Sequence, residues 1–248
     1  MIIPVRNMAA TLERAVMSAV DADEIHVVDD ASTDDTQAVV SRLPIKVVYW
    51  RWPRKAKCHL EAQRVVWQSI DCQQIVGVGA DDALLPGFLD AVRRHADSAT
   101  VFTDYDVVSV TGERLWTVSQ DCREVLTLTP QQMRTRLQVR CNATESGIGS
   151  SVRVDVAACL WERGWQRLGP HMDSVGMAAA ASEFGATILP MVGAAYTMTE
   201  RSYGRDALHD HDQARHLGAM ARDWLRAWGI DEPTVRAICR KRCGVVWN

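Results

Sequence analysis

The chain has 248 residues, 47% of them apolar and 24% charged, with a formal net charge of −3. That size and balance fit one large globular domain, or one domain with a small appendage, and exclude a globally basic nucleic-acid coat. No run approaches the roughly 18–20 apolar residues of a membrane-spanning helix, and no basic leader precedes an apolar segment. The seven cysteines show no paired spacing, which excludes a disulfide framework and a four-ligand zinc site and points to reduced thiols in a cytoplasmic protein.

Ile2 to Val5 reads as a short buried strand. Residues 8–20 place Leu12, Val16, Ala19 and Val20 on one helical face. A second strand, Glu24 to Val28, ends at Asp29-Asp30. The polar turn after it has strong capping chemistry and leads into a helix through about Arg42. Ile45 to Tyr49 is read as a third strand and His59 to Ile70 as a helix. Ile75 to Ala80 is a fourth apolar run, stopping at Asp81-Asp82. A helix from Phe88 to Ala96 and a strand from Thr100 to Thr103 follow. This alternation predicts an α/β fold with a mainly parallel sheet covered by helices. Beyond residue 105 the pattern loosens. A hairpin is expected to turn at Thr111-Gly112, and a short helix to follow Pro130. A strand and helix run through Trp161, a helix spans 173–184, and a strand covers Thr187 to Pro190. In the tail, Ala214, Leu217, Ala221, Trp224, Leu225 and Trp228 follow helical spacing, and the tryptophans are read as packing residues.

Two of the expected strands end in Asp-Asp. In open α/β sheets, ligands collect just outside the carboxyl ends of strands, and a carboxylate pair there suits a hard cation. Taken alone, Asp81 and Asp82 are better read as a turn that caps the helix starting near Pro86. Charge is unevenly placed. Residues 21–35 carry seven acids, and residues 51–64 carry five bases against one acid. A basic loop beside acidic strand ends could hold a phosphate chain bridged by a metal, or could be a solvated surface.

These blocks, in this order, resemble family 2 glycosyltransferases with the GT-A fold. The opening Ile2-Ile3-Pro4-Val5-Arg6-Asn7, followed by Leu12-Glu13-Arg14-Ala15-Val16, is similar to the start of that family. Val27-Val28-Asp29-Asp30-Ala31-Ser32-Thr33-Asp34-Asp35-Thr36 resembles its nucleotide-binding signature nearly letter for letter. Gly79-Ala80-Asp81-Asp82-Ala83-Leu84-Leu85-Pro86 stands where the family has its Asp-x-Asp-Asp metal segment. The likeness is strong over 1–104, weaker over 145–200 and absent beyond about 205. It implies a nucleotide-sugar-binding half (1–104), an acceptor-binding half carrying the catalytic base (105–204) and a C-terminal helical extension (205–248). It also implies a nucleotide-sugar donor, usually UDP-linked, and a divalent cation, Mn²⁺ or Mg²⁺. Asp29 and Asp30, with Pro4, Val5 and Arg6, are assigned to the nucleoside. Arg54, Lys57 and Arg64 pass near the nucleotide in relatives. Asp82, with Asp81 beside it, is assigned to the metal and diphosphate.

The chain departs from the pattern at several positions. Gly79 replaces the first acid of the metal segment, and Arg64 stands where relatives carry an asparagine. The later Glu-Asp motif that supplies the base is not intact. Ser146 to Ser151 resembles the acceptor loop before that motif, and Trp161-Glu162-Arg163-Gly164-Trp165 the turn upstream of it. Counting back from Gly185 sets Asp173 at the Glu and Ser174 at the Asp, whereas a one-residue slip gives Asp173 the base role. Asp173 is chosen because a serine cannot accept the proton unaided. His171 is the fallback, and a helix cap is the structural alternative for Asp173. Relatives often carry a late metal-binding histidine after a Tyr-rich segment. Tyr196-Thr197-Met198-Thr199 lacks one, and His209 and His211 are the substitutes.

Family members invert at the anomeric carbon, and the acceptor implied is a glycan or lipid-linked saccharide. Trp50 and Trp52 near the basic loop, with Arg236, Arg240, Lys241 and Arg242 in the tail, suggest a second acceptor, a modified base in DNA. A sugar-nucleotide nucleotidyltransferase and a non-catalytic nucleotide-sugar-binding module are the further alternatives.

Overall fold

A computed structural model describes residues 1–56, 59–140, 147–199 and 211–242. β1 (Ile2–Val5), β2 (His26–Asp29) and β3 (Val48–Arg51) form a parallel three-stranded sheet in the order β1-β2-β3. α1 (Ala9–Met17) and α2 (Thr36–Arg42) are the crossovers. Ile2, Ile3, Val27 and Val28 are buried, as expected of a parallel sheet covered on both faces. β3 lies three residues later than the hydrophobic pattern suggests. Ile45 and Val47 pack against the core beside β1 and α1, while the ladder itself pairs Val48 with His26 and Arg51 with Asp29. Apolar packing and backbone pairing use different residues here, and periodicity reads only the packing.

α3 (His59–Trp67) leads to β4 (Gln74–Val76), which begins a second, mixed sheet. Its remaining strands are β5 (Ala83–Leu84), β6 (Thr100–Val108), β7 (Arg114–Val118), β8 (Leu126–Leu128), β9 (Ser150–Arg153) and β10 (Ala186–Thr197). The main path is β4-β9-β6-β10-β5, with β7 on β6 and β8 on β10. Only β6 and β10 pair in parallel there. The sequence predicts a mainly parallel sheet; parallel ladders form in β1-β2-β3 and this central pair, and the other ladders of the second sheet are antiparallel. The expected fourth strand stops pairing at Val76. Gly77 then makes one isolated parallel bridge to Ile2, and Val78 N–H donates to the Ile2 carbonyl at 3.2 Å. This bridge joins the two sheets and turns the chain toward Asp81 and Asp82.

α4 (Phe88–Arg94) precedes β6. β6 continues well past Thr103, and the β6–β7 hairpin turns at Gly112 (φ 86°), where a left-handed conformation suits glycine. α5 (Pro130–Val139) opens with a capping box between Thr129 and Gln132 and proline at its start. α6 (Val154–Glu162), a 3-10 segment (Trp165–His171) and α7 (Met172–Phe184) follow. β10 runs beyond the expected Pro190. The register slips between Ile188 and Val192, so the proline sits in an irregularity where no ladder donor is needed. α8 (His211–Ala227) and α9 (Glu232–Arg242) close the chain. One core lies under β1, β2, α1 and α4, around Ile3, Leu12, Val27, Val78 and Phe88. A second joins α5, α6 and α7 to the tail through Leu160, Met172, Leu225 and Ile238. Among the described residues no helix is long and apolar enough to cross a membrane.

Candidate active site

The nucleotide signature is built by β2 and the turn after it. Asp29 is fully buried. Its Oδ1 accepts the Ser32 N–H at 2.7 Å and its Oδ2 the Tyr49 hydroxyl at 2.5 Å. Burial, and then that carboxylate, push the Tyr49 phenol pKa well upward, so the hydroxyl stays a donor. Both Asp29 oxygens thereby accept hydrogen bonds within the protein, from the turn and from β3. Ala31 lies at φ 55° and Asn7 at φ 54°, a left-handed conformation that costs a non-glycine residue and collects at functional turns. The two strand ends hold each other there. Asn7 N–H donates to Ser32 Oγ at 3.0 Å, and Thr33 N–H donates to Asn7 Oδ1 at 2.7 Å. The Arg6 guanidinium donates to the Asp30 and Ala31 carbonyls.

Asp30 is half-buried, and its N–H donates to the Val5 carbonyl at 2.9 Å. Its Oδ1 accepts the Ala56 N–H at 2.6 Å, drawing the basic loop against the signature. Pro4 pairs with Val28 in the ladder, and the Val5 side chain is buried in the core. The structure therefore brings Pro4, Val5, Arg6, Asp29 and Asp30 together at the carboxyl end of the parallel sheet. Arg51 sits on the same turn, donating to Gln37 Oε1 and the Ser32 carbonyl. Arg54 is exposed. Arg64 lies over the Trp161 ring, 5.0 Å from its centroid, and its buried Nε has no hydrogen-bond acceptor among the described residues. Lys57 falls outside the described residues. Trp50 and Trp52 pack on the core, and the Trp50 indole donates to His26 Nδ1 at 3.0 Å. Both tryptophans are half-buried against that core.

Beyond the bridge at Gly77 the chain makes a tight turn, with Asp82 N–H donating to the Gly79 carbonyl at 3.0 Å. Asp82 is only 5% exposed. Burial first, and the neighbouring Asp81 charge second, raise its pKa to about 7; the Thr197 N–H and Arg14 oppose the rise. Burial also raises Asp81 above the ordinary carboxylate range. Both side chains converge on Gly79. A Cβ at that position would stand 2.7 Å from Asp82 Oδ2 and 2.9 Å from Asp81 Oδ1. The glycine thus makes room for two carboxylates over one spot, and a third acid would collide with them. Among the described residues no three His, Cys, Asp or Glu side chains gather into a metal cluster. Two hard oxygen donors with raised pKa values nevertheless fit Mg²⁺ or Mn²⁺ of the kind completed by substrate phosphates. His209 lies outside the described residues. His211 begins α8, and its side chain is not described.

Asp173 stands in the first turn of α7. The Trp165 indole donates to the Met172 carbonyl at 2.5 Å, and Trp165 in turn stacks on Trp67 of α3. A Cβ on Gly147 would lie 3.1 Å from Asp173 Cβ, so Asp173 faces the small-residue loop that feeds β9. That loop is pinned at Gly149, whose carbonyl accepts both the N–H and the hydroxyl of Thr103. Because β9 pairs with β4 and β6, the loop issues from the end of β4 that leads to the acid pair. His171 closes the 3-10 segment, and its side chain is not described.

Sequence reasoning did not assign Arg14, Tyr49, Trp165 or Thr197 to the site. Thr197 acts partly through its backbone N–H, which leaves no mark on residue type. Arg14 and Trp165 belong to blocks that resemble the family, and that was their only signal.

The layered sheets, the signature at one sheet's carboxyl end and the adjoining acid pair define an α/β protein of the GT-A class. A model of glycosyl transferase family 2 matches residues 1–161, and the chain belongs to that family. No curated protein matches the sequence. Among solved structures, S. aureus TarS 1-349 in complex with UDP-GlcNAc superposes with a TM-score of 0.62 at 15% identity, over 92% of this chain and 70% of that one. The mannosyltransferase PcManGT from Pyrobaculum calidifontis, in complex with GDP-Man and Mn²⁺, gives 0.60 at 19% identity, over 98% and 68%.

Proposed function

We propose that this protein is an inverting glycosyltransferase that moves a sugar from a nucleotide donor, UDP-linked, to an acceptor hydroxyl, assisted by Mn²⁺ or Mg²⁺. The observation that carries this reading is the convergence of the Asp81 and Asp82 carboxylates over Gly79, beside the nucleotide signature. Asp81 and Asp82 would hold the cation, which when bound neutralises charge on the departing diphosphate. The Asp30 turn and the loop bonded to it form the cradle for the nucleoside. Arg64, with a buried donor that lacks an acceptor among the described residues, is suited to an anionic or carbonyl oxygen of the donor.

Asp173 takes the proton of the acceptor hydroxyl. The resulting oxygen attacks the anomeric carbon from the face opposite the diphosphate, and the bond to the phosphate oxygen breaks. A positioned base contributes about 10²–10⁴ in rate. Asp173→Asn is expected to abolish transfer while UDP binding persists, measured by product formation and by calorimetric titration with UDP. Full activity in that variant removes Asp173 from the mechanism. Thermal-shift measurements with UDP-GlcNAc and GDP-mannose, each with and without Mn²⁺, identify the donor nucleotide.

The acceptor is read as a glycan or lipid-linked saccharide. Trp50 and Trp52, half-buried against the core, favour this reading over a modified base in DNA. Free thiols at Cys72, Cys122, Cys159 and Cys239 are consistent with a cytoplasmic setting.

A further inference from the structure

The acid pair is not held by its own turn alone. Arg14 of α1 and Thr197 at the end of β10 both reach it. Thr197 is only 4% exposed, and both of its donors point at the pair. Its N–H donates to Asp82 Oδ1 at 2.8 Å, and its hydroxyl donates to the Asp81 carbonyl at 2.5 Å. The Arg14 guanidinium donates to that same carbonyl and, at 3.0 Å, to Thr197 Oγ1. Arg14, Thr197 and Asp81 thus close a ring of three hydrogen bonds, with Asp82 attached through the Thr197 amide.

Thr197 itself cannot drift. It pairs with Val108 in the parallel β6–β10 ladder, and the next residue's N–H donates to the Val108 carbonyl at 2.8 Å. The far end of the acid turn is tied to the same strand, because Ala83 and Leu84 pair with Ala195 and Ala194. The orientation of two half-hidden carboxylates is therefore set by the centre of the second sheet. Their natural tendency is to splay apart, since like charges repel at short range. The ring fixes the Asp81 backbone and one Asp82 oxygen, leaving Asp82 Oδ2 and Asp81 Oδ1 aimed at the space over Gly79.

We infer that Thr197, braced by Arg14, is a positioning residue that holds Asp81 and Asp82 in the geometry needed to take up a divalent cation together with a nucleoside diphosphate. This rests on the functional reading given above. Groups that orient metal-binding carboxylates typically change metal affinity by about 10–100-fold when removed. Thr197→Val keeps the shape and the N–H and deletes only the hydroxyl. Thr197→Ser keeps the hydroxyl.

The test is calorimetric titration of the full chain with UDP and with GDP, across a Mn²⁺ series and in its absence. Thr197→Val is expected to raise the Mn²⁺ concentration needed for nucleotide binding by about 10–100-fold, with metal-free nucleotide affinity unchanged. Thr197→Ser should match wild type. Arg14→Met should shift the Mn²⁺ requirement in the same direction, and the double variant should fall short of the summed effects, as coupled sites do. Arg14→Met carries the test if Thr197→Val does not fold. An unchanged Mn²⁺ requirement in a folded variant, or equal weakening with and without Mn²⁺, overturns the positioning role alone. A wild-type protein that binds neither nucleotide in a Mn²⁺-dependent manner overturns the functional reading and the role together.

Discussion

Asp82 shows how a site residue can oppose the fold that carries it. Its pKa rises from 3.8 to about 7, chiefly through burial and then through Asp81. A carboxylate raised in this way favours the folded state below its unfolded value, and that contribution is lost as pH climbs through about 7. A shift of this size corresponds to roughly 4 kcal/mol at most. Metal-free Asp82→Asn is therefore expected to melt several degrees above wild type at pH 8, with the gap narrowing as pH falls below 7 and closing only below about pH 4, as followed by thermal denaturation. The same variant should lose the stabilisation that Mn²⁺ plus UDP gives wild type. At this scale the sequence was legible where chemistry depends on residue type, as in the Asp29-Asp30 and Asp81-Asp82 pairs. It was silent on which member of each pair faces inward. Asp29 is consumed by Ser32 and Tyr49, and Tyr49 lies on a strand whose ladder the apolar pattern misplaced.

At the scale of elements, the first turn of α7 is locked by a tryptophan from the preceding segment. Gly176 makes this possible, because a methyl group there would fall on the Trp165 indole. In an ordinary helix interior, Gly→Ala stabilises by about 1 kcal/mol. Here the overpacking cost of about 1–3 kcal/mol opposes that gain and displaces the indole from the Met172 carbonyl. Gly176→Ala is expected to lower the urea midpoint and the transfer rate while sparing UDP affinity. Helices were legible from their periodicity and caps, and α5, α7 and α8 lie close to their expected limits. Strands were less so. β10 carries its apolar pattern past Pro190 only by slipping register, and β6 runs on through Asp104 and Asp106, whose polarity reads as an end.

At the scale of the molecule, the tail is part of the core rather than an attachment to it. Leu225 of α8 is fully buried in the cluster that includes Met172 and Leu160. Leu225→Ala is expected to cost about 2–5 kcal/mol. Tryptophan fluorescence and far-UV circular dichroism should still report coincident urea transitions, because the tail and α7 share one cluster; separated transitions would show the tail unfolding independently. The α/β alternation of the first hundred residues was visible in the chain, since β1, β2 and β3 are short and each is followed by its helix. The mixed second sheet was not, because its partners lie far apart in sequence and no local pattern records who pairs with whom.

The contact between Thr197 and Asp82 spans 115 positions, and this has a consequence during synthesis. A chain emerging from the ribosome exposes its nucleotide signature and acid pair early, but the amide that orients Asp82 arrives only with the last residue of β10. At roughly 5–20 residues per second, that interval is on the order of ten seconds. For that time the nascent protein has its acids without their brace. On the proposed function, competence to take up metal and donor is thereby postponed until β10 has been made.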